Sequence, residues 1–242
     1  MIVGINNNET VSFFYAMKFD KNPTLMTQYN NNPAVLIPTN VAPTTDTARL
    51  LGVKTNRKLT ANQEADFNKR VKQSYKLTGK GDDNFIQYYN DVRFGLAFHR
   101  LITLTLANPA NRKLPLYLYE FDEDAPYNWG KNRYNIGPQG LGAAHQDELG
   151  YLLHITSPSD LKQTSKGNSA ASKTLSLMTK LWTDFAKSGR PAAAKQWPAA
   201  SGTAYTAPYA KISAKSWGHV GRGLRGQRMQ VWEDVYNILR RK

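Results

Sequence analysis

Apolar and polar positions change their spacing along this chain, and each change predicts an element. Met1 to Ile5 is an apolar run that gives way to Asn6-Asn7-Asn8-Glu9-Thr10, the pattern of a short buried strand ending in a loop. Val11 to Tyr15 is aromatic and predicts packing beneath that loop. Residues 21–58 are polar and carry Pro23, Pro33, Pro38 and Pro43, which predicts surface loops and short helices. Thr60-Ala61-Asn62-Gln63 has capping-box form. Ala61, Ala65, Val71 and Tyr75 then space a weakly amphipathic helix, which Gly79-Lys80-Gly81 ends. The longest helical pattern runs from Phe85 to Ala107 and closes at Asn108-Pro109. Leu114 to Phe121 (LPLYLYEF) reads as a second buried strand. Asp122 to Pro138 predicts a loop with aromatic and basic residues. From Ser169 to Lys187, Leu175, Met178, Leu181, Trp182 and Phe185 fall at helical spacing, stopped by Gly189 and Pro191. Ala192 to Pro208 reads as loop. Arg225 to Leu239 reads as a closing helix with Met229, Trp232, Val235, Tyr236 and Leu239 inward. No internal repeat is present.

Between the second strand and the Ser169 helix lies Gly140-Leu141-Gly142-Ala143-Ala144-His145-Gln146-Asp147-Glu148-Leu149-Gly150-Tyr151. Small residues let backbone pass close to a reacting centre. A histidine can carry a proton near neutral pH. The histidine follows a strand, where α/β folds place their chemistry. The N-terminal pattern repeats the arrangement, with Glu9 just past a strand end. His145, Asp147, Glu148 and His154 are potential metal ligands, but their spacing fits no zinc or calcium pattern, and His99 and His219 are remote. No metal and no cofactor are implied.

Composition changes this picture little. With 40% hydrophobic and 11% aromatic residues, the chain can bury a core. The formal charge of +14 suggests nucleic acid or anionic surfaces at first sight. The basic residues are spread along the chain, however, and their densest clusters, Lys54 to Lys80 and Arg222 to Lys242, read as solvated helix faces and loops. No nucleic-acid partner is expected. The absence of cysteine rules out disulfide and thiolate chemistry within the chain and leaves the compartment undecided. No window of eighteen apolar residues occurs, so no membrane span is expected.

The motifs VGINNNE, NDVRF, PLYLYEFD and GAAHQDEL, followed by W-x-x-F-A-K-x-G-x-P, W-P and R-x-x-x-W, together resemble the C-terminal part of the type-B carboxylesterases, the cholinesterase-like family. The flavour is closest to the insect carboxylesterases and juvenile-hormone esterases. That resemblance implies an α/β fold: the C-terminal portion of a single α/β-hydrolase domain over residues 1–242, with the N-terminal part and its nucleophile elbow outside the chain.

It also implies a serine ester hydrolase in which His145 is the base and Glu9 the acid that orients it, in the order Ser…Glu…His. Glu148 and Asp91 are expected to support the site without reacting, Asp91 as a helix cap or a buried structural acid, and Asp147 is an alternative to Glu148. Tyr151 and Leu153, in the run Leu149 to Leu153, are expected to wall the pocket. The family's acid motif ends near Asp-Glu-Gly, where this chain has Asn-Glu-Thr. Gly-x-Ser-x-Gly occurs nowhere. Gly167-Asn168-Ser169-Ala170-Ala171 comes nearest, but it follows the histidine and lacks a preceding strand, so Ser169 reads as a helix cap. The expectation is therefore an esterase acting on a small carboxylic ester, with this chain supplying Glu9 and His145 only and inactive alone. The alternative is a cholinesterase-like binding or adhesion protein without a working triad.

Overall fold

In chain order the elements begin with β1 (Ile2–Asn6), α1 (Val11–Ala16), α2 (Pro23–Asn31), α3 (Ala61–Tyr75) and α4 (Asp82–Asn90). A π-helical turn (Asp91–Gly95) leads into α5 (Leu96–Ala107), then β2 (Tyr117–Phe121), α6 (Trp129–Arg133) and α7 (Leu149–Leu152). The chain finishes with α8 (Ala170–Ser188), β3 (Pro208–Ile212), β4 (Val220–Arg222) and α9 (Gly226–Arg240). This computed structural model describes residues 1–36, 60–77, 82–111, 114–136, 140–153, 169–191 and 195–240. It divides into two compact units, Met1–Met17 with Ala97–Gly226, and Lys18–Leu96 with Gln227–Lys242.

The first unit is built on a sheet of order β1-β2-β3-β4. β1, β2 and β3 run parallel, and β4 is antiparallel to β3. The register sets Asn6 beside Phe121 and Phe121 beside Ile212, so the carboxyl ends of the three parallel strands lie level. In open α/β sheets that end is where ligands bind. Both strands expected from the apolar runs are present. β3 and β4 were not expected: β3 starts on Pro208, which a strand tolerates at its first residue, and Val220 and Arg222 of β4 are exposed.

α8 covers the sheet. Ser169 caps it by accepting the Ser172 amide at 3.2 Å, and Gly189 ends it in the left-handed region, as its sequence predicts. Its Met178 and Leu181 join Tyr117, Phe121, Trp197 and Ile212 in one buried cluster. Trp197, fully buried, satisfies its indole N–H on the Leu118 carbonyl at 2.7 Å.

The second unit is helical. Thr60 and Gln63 close the expected capping box on α3. The buried face of α3 is Phe67, Val71 and Tyr75, whereas Ala61 and Ala65 are exposed. Large aromatic area outweighs small alanines when a helix chooses its inner face. The expected ending at Gly79-Lys80-Gly81 lies outside the described residues, and α3 ends on a left-handed Lys76.

The long helical pattern is realised as α4 and α5 joined through the π turn, so of the two expectations for Asp91 the helix cap fails and the buried structural acid holds. Asp91 sits inside the run with no exposed surface. Its carboxylate accepts the Tyr75 hydroxyl at 2.8 Å and the Arg228 Nε at 2.7 Å, and the Trp232 indole donates to Tyr75 at 2.8 Å. Among the described residues no helix is long and apolar enough to cross a membrane.

Candidate active site

The site grows from the carboxyl end of β1. The turn after Asn6 is sewn to two neighbours: the Asn7 amide donates to the Phe121 carbonyl at the end of β2 (2.9 Å), and Arg225 donates to the carbonyls of Asn6 and Asn7 at 3.2 and 2.7 Å. The Glu9 carboxylate is drawn back under this turn, because the Asn6 amide donates to its Oε1 at 2.8 Å. Its other oxygen, Oε2, meets His145 Nδ1 at 2.9 Å across 136 residues of chain.

The histidine loop lies against the same turn. The His145 amide donates to the Glu9 carbonyl at 2.9 Å, and the Asn8 amide to the Ala143 carbonyl at 3.0 Å. The Ala143 amide donates to Asn7 Oδ1 at 2.7 Å, and the Asn8 side chain donates to the Leu141 carbonyl. Gly142 has a φ of +75°, and a Cβ there would run into the Asn7 side chain, so this approach needs glycine. From β1 itself, the Asn6 side chain donates to the Ala144 carbonyl at 2.6 Å and to Glu148 Oε2 at 2.5 Å.

A carboxylate on Nδ1 fixes the neutral ring with its proton on that nitrogen and its lone pair on Nε2. Glu9 is 7% exposed and the His145 side chain 39%, so the acid is buried while the ring reaches solvent. The hydrogen bond that Nδ1 donates to Glu9 raises the His145 pKa above its ordinary 6.5; burial opposes the rise, and the charges of Glu9, Glu148 and Asp147 add to it. Burial pushes the carboxyl of Glu148 upward against the Asn6 hydrogen bond, and that of Asp147 upward against the Lys131 charge. Such a ring can accept a proton at Nε2 and hold the resulting cation against a carboxylate.

Not all of the expected residues gather here. Glu9, His145, Asp147 and Glu148 belong to one unit, as does Tyr151, which is 2% exposed with its hydroxyl donating to Asn128 at 2.9 Å. Leu153 is 59% exposed. Asp91 belongs to the other unit. His154 lies outside the described residues. Phe13 of the aromatic segment brings its ring centroid to 6.0 Å from that of His145.

Sequence reasoning missed Asn6, Asn7, Asn128, Lys131 and Arg225. The asparagine run offered a signal, since side-chain amides suit tight turns. Asn128, Lys131 and Arg225 offered none that stood out from other polar and basic residues.

A model of the carboxylesterase family matches residues 1–232. Carboxylesterase 4A of Bos taurus is 34% identical over 130 residues, which are 52% of this chain and 20% of that protein. The crystal structure of juvenile hormone esterase from Manduca sexta, with OTFP covalently attached, superposes with a TM-score of 0.63 at 18% identity. That match covers 98% of this chain and 41% of the esterase, so the chain has part of an α/β-hydrolase fold and spans well under two thirds of either protein.

Proposed function

Because this chain belongs to the carboxylesterase family, we propose that Glu9 and His145 are the acid and base of a serine ester hydrolase acting on a small carboxylic ester. The nucleophilic serine and the oxyanion donors are then supplied by chain outside these 242 residues. The observation that carries this reading is the 2.9 Å contact between Glu9 Oε2 and His145 Nδ1 at the carboxyl ends of two parallel strands.

In this mechanism His145 Nε2 takes the serine hydroxyl proton as the oxygen attacks the ester carbonyl. The Glu9 carboxylate stabilises the imidazolium and stays ionised itself. The proton passes from Nε2 to the departing alkoxide, so the alcohol leaves neutral and the acyl group stays on serine. Water then loses a proton to Nε2, attacks the acyl carbon and releases the carboxylic acid, and the serine recovers its proton. The raised pKa of His145 suits it to hold the proton between these transfers.

The test is hydrolysis of p-nitrophenyl acetate, with fluorophosphonate labelling, by the protein expressed from the complete coding region. His145→Ala and Glu9→Ala are each expected to lower kcat by on the order of 10⁴-fold. Turnover near the parent rate in either variant removes the assignment. An absence of labelling in the parent, with some other residue at the elbow, turns the reading to the binding protein.

A further inference from the structure

The stretch that leads into His145 has no side chain with which to anchor itself: Gly140 to Ala144 carries no polar side chain, so its fixation comes from residues around it. The neighbour is Lys131 on α6. Only 1% of its side chain is exposed, and lysines are almost never buried unless paired. Its ammonium donates to the Gly142 carbonyl at 2.5 Å and to Asp124, and lies 3.7 Å from Asp147 Oδ2.

Asp147, with no exposed surface, accepts the Ala144 amide at 2.6 Å, the Asn128 side chain at 2.8 Å and the Lys131 amide at 2.8 Å. The ammonium therefore holds the loop at Gly142 directly and at Ala144 through Asp147. A Cβ on Gly130, the residue before, would fall on the His145 carbonyl oxygen, so α6 packs straight onto the histidine's backbone.

We propose that Lys131 is a positioning residue for His145: its buried ammonium, balanced by Asp124 and Asp147, clamps the loop at Gly142 and fixes the imidazole against Glu9. This rests on His145 being the base. Asp147 needs Lys131, because two carboxylates buried without their cation are costly. The loop needs Asp147, because the Ala144 amide is otherwise unmet. A lysine serves here because its flexible stem delivers three donors to one point, where a carbonyl and two carboxylates converge.

The experiment compares the parent protein, Lys131→Met and the double variant Lys131→Met/Asp147→Asn. Hydrogen exchange is read peptide by peptide, and the low-field Nδ1 proton of His145 by NMR. Lys131→Met is expected to speed exchange at Ala144 and His145 by about tenfold or more and to shift or abolish the Nδ1 signal, while β2 and β3 keep their protection. The double variant, which neutralises one of the two stranded carboxylates and keeps an oxygen for the Ala144 amide, is expected to recover part of the loop's protection. Unchanged exchange at Ala144 and His145 with an unmoved Nδ1 signal overturns the proposal. So does protection lost equally across the strands, which marks Lys131 as a general stabiliser. Neither readout involves hydrolysis, so loosening of this loop in a protein whose His145→Ala variant still turns over would keep the clamp on the loop but end the catalytic role that rests on it.

Discussion

Glu9 holds His145 twice: its carbonyl accepts the histidine's amide at 2.9 Å, and its carboxylate meets the ring Nδ1 at 2.9 Å. The first bond fixes where the residue is, and the second fixes which tautomer it adopts. Only the second depends on the side chain, so a substitution at position 9 separates the two.

Glu9→Gln is therefore expected to leave the loop in place while lowering the His145 pKa, since the strongest cause of its rise is lost. ¹⁵N NMR titration of the imidazole reads this directly. The sign carries through to activity. In the proposed mechanism the neutral ring is the base, so in the parent the rise of kcat/KM with pH is expected to be centred above 6.5. In Glu9→Gln that centre moves to lower pH and the plateau falls. For stability the same raised pKa acts the other way: its contribution is full below 6.5 and fades as pH rises through the folded value. With 39% of the side chain exposed, solvent screening keeps that contribution small.

Gly130→Ala tests how tightly α6 seats the loop. The new methyl collides with the His145 carbonyl oxygen, which is backbone and cannot swing aside. Helix propensity alone favours alanine by about 1 kcal/mol. Overpacking of this kind costs about 1–3 kcal/mol, so the sign decides between the two effects. A lower melting temperature, with the Nδ1 proton signal shifted, is the expected outcome.

Arg225→Met removes the donor that holds the carbonyls of Asn6 and Asn7 at the end of β1. Hydrogen bonds from a charged group are worth about 1.5–3 kcal/mol, so denaturant melts should show a loss of that order. Arg225→Lys keeps the charge without the planar fork and should recover only part of it. Exchange at Asn7 and Glu9 should quicken more than in β3, which localises the effect to the turn.

Legibility in the sequence followed the range of the interactions. β1, β2, the Thr60 capping box and α8 are set by neighbours a few residues apart, and their spacing predicts them. β4 has three residues with two of them exposed, and only pairing with β3 makes it a strand. Asp91 read as either a helix cap, because acids favour first turns, or a buried structural acid. Its place inside the π turn follows from Tyr75 and Arg228, which are far away in sequence. Glu9 and His145 drew notice through the motifs around them, and their meeting is a property of the sheet. Lys131 read as one basic residue in the loop from Asp122 to Pro138, because the carbonyl and carboxylates that bury it converge only in the fold.

His99 offers the clearest dependence of stability on pH. It is 2% exposed in the first unit, its ring lies edge-on to Tyr205 at 4.6 Å, and neither ring nitrogen has a hydrogen-bond partner among the described residues. Burial first, and the charge of Arg100 second, lower its pKa from 6.5 to about 4. Between those values the unfolded chain binds a proton that the folded chain refuses, so stability falls as pH drops through this window and levels off above 6.5. One proton gives a slope of about 1.4 kcal/mol per pH unit. His99→Phe keeps an aromatic ring against Tyr205 and removes both unmet nitrogens. Urea melts from pH 4 to 7 should show a stability for this variant at pH 7 that equals or exceeds the parent's, and a shallower decline in acid. An identical acid slope in parent and variant would assign the loss to other groups and leave His99 protonated in the folded state.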